Sequence, residues 1–144
     1  CFEAFCGGAS VARRLQEQVK KNPKSLLLKE AGGDIEAIGM RCLISSVKQS
    51  DPFALEFWEG YTERLAQGVG ILLQTLNPEA IILGTIAVHN EELVMNPLKK
   101  ALPRYAWKAP LEYCCIQPSV LGSNLGKLGA LALAIRGLRA ETRV

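Results

Sequence analysis

Asn77-Pro78-Glu79-Ala80-Ile81-Ile82-Leu83-Gly84-Thr85 is the stretch at which this 144-residue chain changes period. Ala80-Ile81-Ile82-Leu83 is an unbroken apolar run between turn residues, the pattern of a strand buried on both faces, as in a parallel sheet. Upstream of it the period is helical. Asp51 can cap a helix with Pro52 at its first position, a favoured place for proline. Ala54, Phe57, Trp58, Tyr61, Leu65, Val69, Leu72, Leu73 and Leu76 then trace one face to about Leu76. Gly68 and Gly70 in that helix cost about 1 kcal/mol each relative to alanine, so something must pack closely there.

Before this helix, Ser10 to Lys21 reads as a first helix, entered through Gly7-Gly8 and stopped by Asn22-Pro23. Asp34-Ile35-Glu36-Ala37 begins the next, with Met40, Leu43, Ile44 and Val47 at helical spacing. After the strand, Asn90 or Glu91 opens a helix that Pro103 ends, and Leu111 to Gln117 is a second strand. Asn124 to Leu138 is a final helix whose small residues Gly126, Gly129, Ala130, Ala132 and Ala134 permit close approach. Two strands among these helices make a poor free-standing α/β sheet, so further strands are expected from outside the chain.

A chain of this length is one domain by default and can bury roughly two thirds of its unfolded surface. Its composition, 49% hydrophobic and 6% aromatic, fits a helix-rich module. No apolar run approaches the roughly 18 residues of a membrane span, and the start lacks the basic-then-apolar order of a signal peptide. The net charge of +3 is mild. Arg13-Arg14, Lys20-Lys21 and Lys99-Lys100 read as solvated helix faces, so neither a membrane nor a nucleic acid is an expected partner.

Cys1, Cys6, Cys42, Cys114 and Cys115 make an odd count without a repeated C-x-x-C spacing. That argues against a secreted disulfide framework and for a reducing, cytoplasmic setting. Cys42, Cys114 and Cys115 lie in apolar patterns and read as core thiols. His89 is the only histidine, read as a surface or loop residue.

The chain opens with Cys1-Phe2-Glu3-Ala4-Phe5-Cys6-Gly7-Gly8. One cysteine cannot make a structural zinc site, which needs four N or S ligands. This opening resembles the end of the cysteine-rich segment of the ROK family of sugar kinases and sugar-responsive repressors, where the last cysteine precedes an x-Glu-Ala step. Asn77 to Thr85 resembles the family's strand-to-loop segment that reaches the adenosine of ATP. Ser119-Val120-Leu121-Gly122-Ser123-Asn124-Leu125-Gly126-Lys127-Leu128-Gly129-Ala130-Leu131-Ala132-Leu133-Ala134 is similar to its closing loop and last helix. Gly33-Asp34-Ile35 and Gln49-Ser50-Asp51-Pro52-Phe53-Ala54-Leu55 follow the family's spacing. The resemblance covers nearly the whole chain, and its pattern is closest to the glucokinase branch.

The resemblance implies an α/β fold, the helix-rich carboxyl-terminal lobe of an actin- and hexokinase-like (ribonuclease H-like) architecture. Residues 1–144 would form one such lobe, lacking the amino-terminal lobe and most of the cysteine cluster. In the family the catalytic aspartate, the phosphate loop and the Glu-x-Gly-His sugar segment precede that cluster, so no catalytic residue is expected here. Cys1 matches the final zinc-binding cysteine, with a free terminal thiol as the other reading. Glu3 matches the glutamate that accepts hydrogen bonds from sugar hydroxyls, a task suited to a charge-assisted acceptor. A first-turn helix glutamate is the plainer alternative.

Gly84 and Thr85 match the nucleotide loop. Many relatives have three successive glycines where this chain has Gly84-Thr85-Ile86, so close backbone approach is expected only at Gly84; a simple strand-end turn is the other reading. Gly122 and Gly126 either face the same cleft or serve packing. Asp34, Glu36, Glu91 and Glu92 are better explained as cap and first-turn residues.

The function so implied is ATP-dependent phosphorylation of glucose or a similar hexose at its 6-hydroxyl, by a cytoplasmic homo-oligomer using ATP and Mg and carrying structural zinc. This chain alone would be inactive. A ROK repressor with an upstream helix-turn-helix, or a non-catalytic module assembling through the long helix, are the alternatives. The sequence preceding Cys1 discriminates among them.

Overall fold

The computed structural model describes residues 2–141. In chain order the elements are α1 (Phe2–Cys6), α2 (Gly8–Val19), α3 (Leu27–Glu30), α4 (Met40–Lys48), α5 (Pro52–Leu76), β1 (Ala80–Leu83), α6 (Ile86–His89), α7 (Glu91–Ala101), α8 (Lys108–Tyr113), β2 (Cys115–Pro118) and α9 (Leu125–Glu141). The 25-residue α5 is the spine. Its first half buries Phe57, Trp58 and Tyr61 with Leu15 of α2 and Leu43 of α4. Its second half buries Val69 and Leu73 with Met95 and Leu98 of α7.

Both ends of α5 are set by single residues. Asp51 Oδ1 accepts from the Ala54 amide at 2.8 Å, the expected cap with Pro52 behind it. The same carboxylate accepts from Ser25 Oγ and from the Leu26 amide, so it also holds the turn before α3. At the far end Asn77 takes a left-handed conformation, φ 43° and ψ 55°, which asparagine tolerates better than most residues. Burial pushes the Tyr61 hydroxyl up to about 12, with the Cys6 thiol adding to the shift.

The close packing expected at the two helical glycines is present. A Cβ on Gly68 would lie 2.3 Å from the Phe2 ring, and one on Gly70 would lie 2.7 Å from the Tyr105 carbonyl oxygen. Tyr105 is tied down further, since Gln74 Nε2 donates to its carbonyl at 2.8 Å. Pro97 sits inside α7, where its missing N–H leaves the Leu93 carbonyl without its helical donor. The Trp58 indole N–H donates to that carbonyl at 3.1 Å. One hydrogen bond thereby satisfies the proline's orphan and joins α5 to α7.

Several sequence-based expectations are corrected. Asp34 does not begin the helix of Met40 to Val47; its carboxylate caps a separate 3₁₀ turn, Ile35–Ala37. Extended backbone at Ile38 and Gly39 interrupts the helical path before α4 starts. Residues 111–113 are helical rather than strand. Pro110 falls in the first turn of α8, where a helix has no use for its N–H, and Lys108 pairs with Glu112 one turn on. Cys115 is exposed rather than a core thiol, whereas Cys42 and Cys114 are buried. Leu72 and Leu76 are exposed, and Ala66 and Gly70 take the buried positions, because the α5 contact face drifts round the helix from α4 to α7. His89 is exposed, as expected.

β1 and β2 are parallel, with Ala80 opposite Cys115 and Leu83 opposite Pro118. The expectation that β1 is buried on both faces fails among the described residues: Ile82 is 51% exposed. The α9 helix leaves Leu131, Leu133 and Leu138 mostly exposed, and among the described residues no atom lies within 4 Å of a Cβ added at Gly126 or Gly129. A helix with so much exposed apolar surface is the type that other elements normally cover.

Candidate functional site

In parallel α/β sheets, ligands are held beyond the carboxyl ends of the strands. Here β1 ends at Gly84-Thr85 and β2 ends at Ser119, and the two ends are joined by a bond from the Ser119 amide to the Leu83 carbonyl at 2.8 Å. Ser119 is buried, and its Oγ accepts from the Leu121 amide, which shapes the turn into Gly122. Gly122 has φ 57°, a conformation glycine adopts without strain. No atom lies within 4 Å of a Cβ built on it, so among the described residues its role is conformational and not packing.

Gly84 and Thr85 divide the work of the first loop. A Cβ on Gly84 would come within 3.1 Å of Leu125 Cδ2, so its missing side chain admits the start of α9. Thr85 has φ 39° and ψ −92° and is exposed. For a β-branched residue this is an outlier, the kind of backbone strain that gathers at binding sites. Thr85→Gly should therefore raise stability by about 1 kcal/mol, as relief of the left-handed penalty outweighs glycine's extra unfolded-state entropy. A higher urea midpoint checks this; an unchanged one would mean the loop relaxes around threonine at no cost.

The second piece lies on α1. Glu3 is in its first turn, exposed, and its carboxylate makes no hydrogen bond with the described residues. Such a group is free to accept from a ligand, and the position equally suits the helix dipole. Cys1 lies outside the described residues. Among those residues no three His, Cys, Asp or Glu side chains gather as metal ligands. Clefts of about 670 Å³ are lined by other residues, such as Glu30, Arg41 and Ser45, or Glu59, Glu63 and Lys100. No helix of the described chain is long and apolar enough to cross a membrane.

The profile of the ROK family matches residues 1–137. The chain belongs to the ROK family. A glucokinase from Thermotoga maritima is 29% identical over 133 residues, covering 92% of this chain and 42% of the relative. The ROK chain thus spans about two fifths of the length of the curated relatives it matches. A ROK glucokinase from Streptomyces griseus, solved with glucose and AMPPNP, superposes with a TM-score of 0.78 at 23% identity, covering 92% of this chain and 44% of that one. A ROK transcriptional regulator homologous to the E. coli MLC protein superposes at 0.67 and 14% identity, covering 82% and 28%. These likenesses establish the fold: a helix-rich α/β module with a small parallel sheet, of the actin-like kind found in ROK sugar kinases.

Sequence reasoning singled out Cys1, Glu3, Gly84 and Thr85 by resemblance and left Gly122 between cleft and packing; the structure places Gly84, Thr85 and Gly122 on adjoining loops. It did not single out Ser119 as the link between them. A small hydroxyl residue directly after a strand was the available signal.

Proposed function

We propose that this ROK chain is the carboxyl-terminal lobe of a cytoplasmic, homo-oligomeric sugar kinase that transfers the γ-phosphoryl group of ATP to the 6-hydroxyl of glucose or a similar hexose. The observation that carries this is the pairing of Gly84-Thr85 with Ser119-Gly122 at the carboxyl ends of two parallel strands, in a chain whose curated relatives are glucokinases. In this reading those loops take the nucleotide, and Glu3 accepts hydrogen bonds from the sugar. Cys1 contributes one ligand to a zinc whose other ligands come from outside the chain. Magnesium accompanies ATP and is likewise held by groups outside it.

The half-exposed sheet and the apolar surface of α9 support an amino-terminal lobe as their cover, bringing the catalytic base and phosphate loop. Phosphoryl transfer depends on positioning and on stabilising charge at the transferred group, which two loops and one carboxylate cannot do alone. The isolated chain should therefore show background turnover in a coupled assay with glucose and ATP. Activity that survives repurification would overturn the division into lobes. Full activity in the longer protein, with hexose but not other polyols, is the positive result.

A further inference from the structure

With only five residues and no buried side chain, α1 cannot hold its own geometry, because so short a helix is unstable in water. Three contacts hold it, two of them from outside. The Phe2 ring lies in the notch at Gly68, where a Cβ would come within 2.3 Å and 2.4 Å of two ring carbons. Arg14 Nη1 donates to the Phe5 carbonyl at 3.1 Å, and the Arg14 and Arg64 guanidinium groups lie 5.6 Å and 4.9 Å from the Phe5 ring centre. The Gly7 amide donates to the Glu3 carbonyl at 2.8 Å.

Glu3 lies beside the first of these contacts and within the third. A Cβ on Gly7 would fall 2.6 Å from the Glu3 carbonyl oxygen and 2.8 Å from Glu3 Cγ. Gly7 has φ −68° and ψ 140°, which any residue adopts, so glycine is needed there for space and not for backbone freedom. Gly68 lies inside α5, where glycine is unfavourable, and its return is the seat for Phe2. We infer that Gly7 and Gly68 are positioning residues for Glu3: the first sets the direction of its side chain, and the second sets the placement of the helix that carries it. This rests on the reading of Glu3 as a sugar ligand.

The test is steady-state kinetics of the full-length protein with glucose and ATP. Gly7→Ala and Gly68→Ala should each lower kcat/KM for the sugar by about ten-fold, since misplacing a substrate-orienting group by an ångström can cost more than that. The KM for ATP should stay within about twofold, because the loops at Gly84 and Gly122 are separate. Phe2→Ala should weaken sugar use similarly, and adding Gly68→Ala to it should do nothing more, since the clash is gone. Gly60→Ala, on the same helix with nothing within 4 Å of the new Cβ, should leave sugar kinetics unchanged.

A role confined to folding would shift melting temperature in the glycine variants without a sugar-selective loss. That outcome, with Glu3→Gln still impairing sugar use, overturns the positioning role alone. Wild-type sugar kinetics in Glu3→Gln overturns the sugar-site reading itself. Should either glycine variant fail to fold, Phe2→Ala, which only removes atoms, decides: unchanged sugar kinetics there overturns the inference.

Discussion

Asp51→Ala is expected to lower the unfolding free energy by about 3 kcal/mol, a large effect for one exchange of a residue only 4% exposed. The substitution removes the cap of α5 and two further acceptor contacts at once. Loss of a helix cap to alanine costs about 1 kcal/mol. The Ser25 hydroxyl and the Leu26 amide then lose a charged acceptor in a half-buried place, at about 1 kcal/mol or more each. Asp51→Asn keeps one acceptor oxygen and should recover about half of the loss. Urea unfolding of the three forms checks this. A loss near 1 kcal/mol in Asp51→Ala would mean that the cap matters and the link to the α3 turn does not.

Glu3→Gln should leave the fold unchanged and reduce kcat/KM for the sugar about ten- to a hundred-fold in the full-length protein. The exchange removes the charge from an exposed carboxylate while changing little volume, and a hydrogen bond to a charged group is worth roughly 1.5 to 3 kcal/mol. The KM for ATP should move far less, because the nucleotide is assigned to the loops after β1 and β2. Unchanged sugar kinetics with a lowered melting temperature would place Glu3 among residues that serve only the α1 dipole.

How much of this was legible without coordinates depends on the range of the interaction. The α5 helix was readable from end to end, because its cap, its proline and the asparagine at its close act within four residues of the backbone they control. β1 was readable because an apolar run between turn residues is a local signal. The start of α4 was misplaced because Asp34 is a good cap for either of two structures, and the extended path through Ile38 and Gly39 chose the shorter one. The strand expected from Leu111 starts only at Cys115, because residues 111–113 complete a short helix whose first turn accepts Pro110 at no cost.

The site divides the same way. The family resemblance marked Glu3, Gly84 and Thr85, and the glycine pair in α5 announced close packing without naming what packs. By itself the sequence determined the long helix α5 with its cap, the strand β1 after it, and which family pattern its opening and its two glycine-bearing loops follow, since these depend on neighbours along the chain. Only the tertiary structure decided that Phe2 fills the notch of Gly68, that Tyr105 lies on Gly70, that the Trp58 indole satisfies the carbonyl left by Pro97, and that the Asp51 carboxylate ties the start of α5 to the turn before α3. Each of these joins residues about 25 to 66 positions apart. Their complementarity is one of shape and hydrogen-bond direction, which no periodicity encodes.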